Sequence, residues 1–182
     1  VSPPLKVKPE VNAKLKKLYV KGLDSLAENT TYIFDFGNSI CDFNEGNRLN
    51  GFKYSFSTGS HIDSLIFEGR VLEGFTMKPV ADKYVMLFKD TLYSALYDND
   101  CSYITKTDSN GWFAFSNIAN SDYRVLVLDD KNQNKRYDLP TESIGFSEYA
   151  VSSYEKDSLN IEKKRRNLVF YEQVTDTVQK VV

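Results

Sequence analysis

The sequence predicts an all-β chain built as two β-sandwich domains in tandem, and three observations predict it. Apolar and polar residues alternate with a period of two in short runs along most of the chain. Most of these runs close on turn formers such as Gly, Asn, Asp and Ser. Aromatic residues make up 14% of the 182 residues, with 12 Tyr and 12 Phe, and flat rings pack well on a pleated surface.

The runs fall in two series. The first holds Leu5–Val11, Leu18–Lys21, Thr31–Phe36 and Phe52–Ser57, punctuated by Gly22, Gly37-Asn38, Glu45-Gly46-Asn47 and Thr58-Gly59. The second starts with Leu65–Val71. Tyr84–Phe88 follows as an unbroken apolar run, which suits a strand buried on both faces. Ser102–Thr107 and Trp112–Phe115 flank Asp108-Ser109-Asn110-Gly111, a hairpin signal because Asn-Gly readily supplies positive φ. Tyr123–Leu128 and Asn167–Tyr171 complete the series, while the polar stretch Leu139–Asn160 reads as a long loop or irregular strand. Helical signal is scarce, and the charged run Glu162–Arg166 reads as a strand edge blunted by cations. The domain boundary falls in Ser57–His61, giving domains 1–60 and 61–182.

Composition narrows the function. A hydrophobic fraction of 41% allows a buried core. A net charge of −2 argues against nucleic-acid binding, which needs a clustered basic surface. No apolar run is long enough to span a bilayer. The opening Val-Ser-Pro-Pro has no export signal, so a signal or lipid anchor is expected upstream of residue 1. The two cysteines, Cys41 and Cys101, fall in different domains and are expected to stay unbridged and half-buried.

Two blocks carry a family resemblance. Leu26–Gly37, Asp42–Asn47 and Tyr54–Gly59 resemble the C-terminal half of an SbsA-type bacterial Ig-like domain, as found in Bacteroidetes surface proteins. Such sandwiches run to about 100 residues, so this first domain is expected to be incomplete at its N-terminus, with an open strand edge. Gly69-Arg70-Val71, Lys78-Pro79-Val80, Thr107–Phe115 and Tyr123-Arg124-Val125 resemble the carboxypeptidase-regulatory-like or Cna-B-like domain, a transthyretin-type sandwich. The resemblance implies a non-enzymatic structural or adhesion module on the cell surface, at the outer membrane or in the periplasm. The alternative it leaves open is a module that binds an unknown protein or glycan within a surface uptake or degradation system.

The clearest chemical motif is Asp130-Lys131-Asn132-Gln133-Asn134-Lys135-Arg136-Tyr137-Asp138. Asp130, Asn132, Asn134, Arg136 and Asp138 occupy alternating positions like the front of an EF-hand loop, where hard oxygens converge on Ca2+. Lys135 stands where that loop wants glycine, and Glu142 comes one residue late. A polar Asx-rich turn explains the same residues without a metal. Five Asp-Ser/Thr-aliphatic triplets place hydroxyls at Ser25, Ser64, Thr91, Ser158 and Thr177. They resemble the O-glycosylation sequon of exported Bacteroidetes proteins, and Asp-Ser/Thr turns before strands explain them too. Trp112, Tyr93, Tyr97 and Tyr103 are candidates for a sugar-stacking platform. The single histidine, His61, has Ser60, Asp63 and Ser64 nearby, but adjacency in a linker does not build a catalytic triad. One His and two distant Cys make a poor zinc site.

Overall fold

A computed structural model describes residues 1–23, 25–89, 101–147 and 149–154, together with the main chain of 166–170. The chain is all-β, and the described residues contain no helix. It divides into two compact units, Val1–Asp63 and Ser64–Val182, against the 60/61 boundary expected from the sequence.

Unit 1 holds two separate two-stranded sheets. Strands β1 (Glu10–Lys14) and β2 (Lys17–Lys21) form a hairpin across the two-residue turn Leu15-Lys16. The expected strand Leu5–Val11 is therefore corrected: the chain bends at Lys6 and Val7, and pairing starts only after Pro9, which has no N–H to donate to a ladder. Strands β3 (Thr31–Gly37) and β4 (Phe52–Ser57) pair antiparallel, with a register shift at Asp35/Gly37. Ser2 exchanges two main-chain hydrogen bonds with Ile33, of 2.9 and 2.7 Å, on the other edge of β3.

Alternation sorts the β3–β4 sheet into two unlike faces. One carries Tyr32, Phe34, Phe36, Phe52, Tyr54 and Phe56, whose neighbouring ring centroids lie 5.7–6.4 Å apart. The other carries Thr31, Ile33 and the Lys53–Asp35 ion pair at 3.0 Å.

Unit 2 is a sandwich of two sheets. The larger joins β10 (Ser143–Phe146), β9 (Asp122–Asp129), β6 (Tyr84–Phe88) and β7 (Tyr103–Lys106), with β11 (Val151–Ser152) pairing the start of β9. The smaller joins β12 (Arg166–Phe170), β5 (Leu65–Glu73) and β8 (Trp112–Ile118), and β12 runs parallel to β5. Phe67, Val71, Phe113, Phe115 and Ile118 from the smaller sheet meet Val85, Leu87, Tyr103, Tyr123, Val125, Val127 and Val151 from the larger one. Met86, Phe88, Leu126 and Leu128, the side chains that alternate with those in β6 and β9, form a second cluster together with Cys101. β6 and the second half of β9 are thus buried on both faces, which accounts for the unbroken apolar runs Tyr84–Phe88 and Val125–Leu128.

The stretch Leu139–Asn160, read as a long loop or irregular strand, contains the short strands β10 and β11. They hold their places by main-chain bonds to β9. Ile144 and Phe146 do alternate with Ser143, Gly145 and Ser147, but the small residues face inward: Ser143 and Gly145 are buried while Phe146 is exposed. In the charged run Glu162–Arg166, Arg166 opens β12 and the remainder lies outside the described residues.

Three local devices fix unit 2. The Tyr123 hydroxyl donates to the Ala119 carbonyl at 2.9 Å, pinning the β8–β9 corner in the manner of a tyrosine corner. Tyr103 accepts the Ala119 N–H at 3.1 Å and meets the Tyr123 ring edge-on at 5.8 Å. At the β7–β8 turn Gly111 has φ of 75°, and a Cβ there would stand 2.5 Å from the Val71 carbonyl oxygen, so only glycine fits. No disulfide joins Cys41 and Cys101. Cys101 is buried, and Cys41 is exposed rather than half-buried because it lies in the long β3–β4 connection.

Candidate functional site: the Asp130–Glu142 loop

The loop leaves the buried strand β9 and returns as β10, and Tyr137 packs its ring against the Met86–Leu128 cluster. That anchor holds the polar part of the loop at the end of the larger sheet. Asp130 Oδ1 accepts the N–H groups of Gln133 and Asn134 at 2.7 and 3.3 Å, and Oδ2 accepts that of Lys135 at 2.7 Å. Asn132 Oδ1 accepts the Asn134 N–H, and Asn134 Oδ1 accepts the Arg136 N–H. The amide groups of Asn132 and Asn134 donate to the two oxygens of Asp138 at 2.9 and 2.6 Å.

The structure thus links Asp130, Asn132, Asn134 and Asp138 in one hydrogen-bonded cluster. Of Arg136 it places only the backbone N–H there, and the residue is exposed. Lys135 takes φ of 61°, the left-handed turn that glycine normally supplies at this position of a calcium loop. The missing glycine is therefore no obstacle to the turn; lysine adopts the conformation at a local cost.

Glu142 is the residue that sequence reasoning undervalued. It is 1% exposed, and its carboxylate clamps the loop closed. Oε1 accepts the Lys131 N–H at 3.2 Å, and Oε2 accepts those of Asp138 and Leu139 at 3.0 and 3.1 Å. A buried carboxylate needs such donors.

The donors fit Ca2+ in kind, since they are hard oxygens on a tight turn. They are short in number and charge. Among the described residues no group of three or more His, Cys, Asp or Glu side chains is placed to hold a metal. The Asp138 oxygens are taken by amide N–H groups, so Asn132 and Asn134 would have to turn their carbonyls toward Asp138. Only a cation would make that favourable.

Beside the loop, Asp129 bridges Lys83 and Lys131, each at 2.7 Å. Burial pushes the Asp129 carboxyl up, but the two ammonium groups outweigh it and hold it below its ordinary range.

The same use of carboxylates recurs at other turns. Asp42 accepts the N–H groups of Asn44, Glu45 and Asn47, foremost that of Glu45, and its pKa is lowered. Glu73 accepts those of Phe75 and Thr76 and is lowered as well, chiefly by its hydrogen bonding to Thr76. Asp108 accepts those of Asn110 and Trp112. Asp followed a few residues later by glycine, as in Asp42…Gly46 and Asp108…Gly111, is the signal that marks two of these clamps.

The other candidates are dispersed. His61 is exposed and stands 3.8 Å from Asp63. Trp112 is half-buried under the Arg70 guanidinium, 5.3 Å from the ring centroid. Tyr103 is core and cannot serve a surface platform. Ser25 and Ser64 are exposed in turn or irregular backbone. Tyr93, Tyr97, Thr91, Ser158 and Thr177 lie outside the described residues. The aromatic face of β3–β4 was not anticipated as a platform; its signal is the matched alternation Tyr32/Phe34/Phe36 and Phe52/Tyr54/Phe56.

No family model, no curated protein and no solved structure matches this chain.

Proposed function

We propose that the chain is a non-enzymatic extracytoplasmic module, a structural or adhesion scaffold of a bacterial cell-surface protein. One observation carries the reading: the turn carboxylates are spent on the chain's own backbone. Asp42, Glu73, Asp108, Asp130 and Glu142 each accept two or three main-chain N–H groups. A catalytic acid or base has to face its substrate, whereas these groups stiffen turns, which is what a rigid spacer needs. Limited proteolysis of intact producing cells tests the placement. The module should be cleaved from the outside; its recovery only in the cytosolic fraction overturns the reading.

Calcium belongs to the same proposal as an additional stiffener of the Asp130–Asp138 loop. At a calcium concentration ten times Kd the melting temperature should rise by roughly 5 °C, and Asp138→Ala should abolish the rise. A melt that ignores millimolar calcium leaves the loop a self-bonded turn. Glycans on Ser25 and Ser64 are proposed too, and intact-mass measurement of protein from the native producer tests them.

A second reading, a glycan- or protein-binding module, is favoured by the aromatic face of β3–β4. Tyr54 is 56% and Phe52 37% exposed there, and rings in this arrangement offer stacking surfaces. Glycan-array binding that Tyr54→Ala removes would support it over the scaffold alone.

A further inference from the structure

The hairpin β1–β2 carries charge and apolar surface that the folding of unit 1 does not use. Between Lys6 and Lys21 stand six lysines against one glutamate, a net of +5 in a chain of net −2, which leaves −7 for the rest. None of these lysines joins an ion pair among the described residues.

The register opposes Val11 to Val20 and Ala13 to Leu18, so these four share one face. Glu10, Asn12, Lys14, Lys17, Tyr19 and Lys21 share the other. Val11 and Leu18 are exposed, and a two-stranded sheet is only marginally stable by itself in water.

The apex is the most telling position. Leu15 is 98% exposed and has φ of 55°, a conformation that suits glycine or asparagine and not leucine. The sequence places a large aliphatic side chain where the turn least wants one and where nothing among the described residues buries it. Lys14, Lys16 and Lys17 surround it.

We propose that this hairpin docks apex-first on an anionic lipid surface. Leu15 enters the boundary between headgroups and acyl chains, with Val11 and Leu18 following. The lysine stems lie along the apolar surface while their ammonium groups meet lipid phosphates. Charge complementarity selects an anionic partner, and the apolar apex selects lipid over an anionic polysaccharide, which would give Leu15 nothing to enter. The inference goes beyond the scaffold reading, and its failure leaves that reading standing.

Co-sedimentation of the full chain with phosphatidylcholine vesicles, with and without phosphatidylglycerol, tests it. Binding should require phosphatidylglycerol and weaken with salt. Leu15→Gly relieves the turn, so circular dichroism should be unchanged while vesicle affinity falls about tenfold. Lys14→Gln, Lys16→Gln and Lys17→Gln should each cost about fivefold. Absence of binding to the anionic vesicles overturns the proposal. So does binding that Leu15→Gly leaves intact, since that is polyanion attraction alone.

Discussion

The two units use their aromatic rings in opposite ways. In unit 2 Phe67, Tyr103, Phe113, Phe115 and Tyr123 are all under 5% exposed, because a second sheet lies over them. In unit 1 the six-ring face of β3–β4 grades from buried Tyr32 and Phe34 to largely open Tyr54. Ring stacking is present in both, and only burial differs. Stacking alone adds about 0.5–1.5 kcal/mol per pair, whereas removing a whole ring from water is worth about 1.5–3 kcal/mol. The rings of unit 2 therefore specify its fold, and those of β4 leave surface available to a partner.

The largest expected effect tests that contrast directly. Phe67→Ala should cost about 3–5 kcal/mol in urea unfolding, through a cavity that close packing cannot refill. Tyr54→Ala should cost under about 1 kcal/mol. Comparable losses at both positions would mean that the unit 1 face is covered in solution, and the contrast would fail.

A smaller effect separates packing from hydrogen bonding inside unit 2. Tyr123→Phe keeps the ring and its edge-on contact with Tyr103 but removes one of the two hydroxyls that donate to the Ala119 carbonyl. A loss of about 1 kcal/mol is expected. A loss near zero would show that the corner is held by Tyr103 and by Ser153, whose hydroxyl also donates to Ala119.

The strands of the core were legible in the sequence because burial writes a pattern. Tyr84–Phe88 and Val125–Leu128 are apolar on both faces and are buried on both faces. Asp108–Gly111 forms the turn its residues demand. The short strands beside β9 were not legible: β10 buries its small residues Ser143 and Gly145 and exposes Phe146, and β11 is two residues long, with Val151 alone reaching the core. Of the candidate loop, the alternating oxygens were visible. The clamp was not, because Glu142 acts through its burial and its three N–H donors, which spacing cannot report. Leu15 was likewise invisible, since only the folded backbone shows that leucine sits in a glycine conformation.

An effect of similar size, which vanishes at low pH, concerns acid. Asp129 is mostly buried between Lys83 and Lys131, and its folded carboxyl titrates below the ordinary 3.8. The unfolded chain therefore takes up this proton at a higher pH than the folded one. The contribution of the pair is complete above the unfolded value and drains away as pH falls through the folded one. Asp42 and Glu73 are lowered as well, so wild-type stability alone cannot isolate Asp129. The difference between wild type and Asp129→Asn can. It should be about 1 kcal/mol at neutral pH and shrink as pH drops below about 4. A difference that stays constant into acid would assign the role of Asp129 to hydrogen-bond geometry, which asparagine fails to copy at any pH, rather than to its charge.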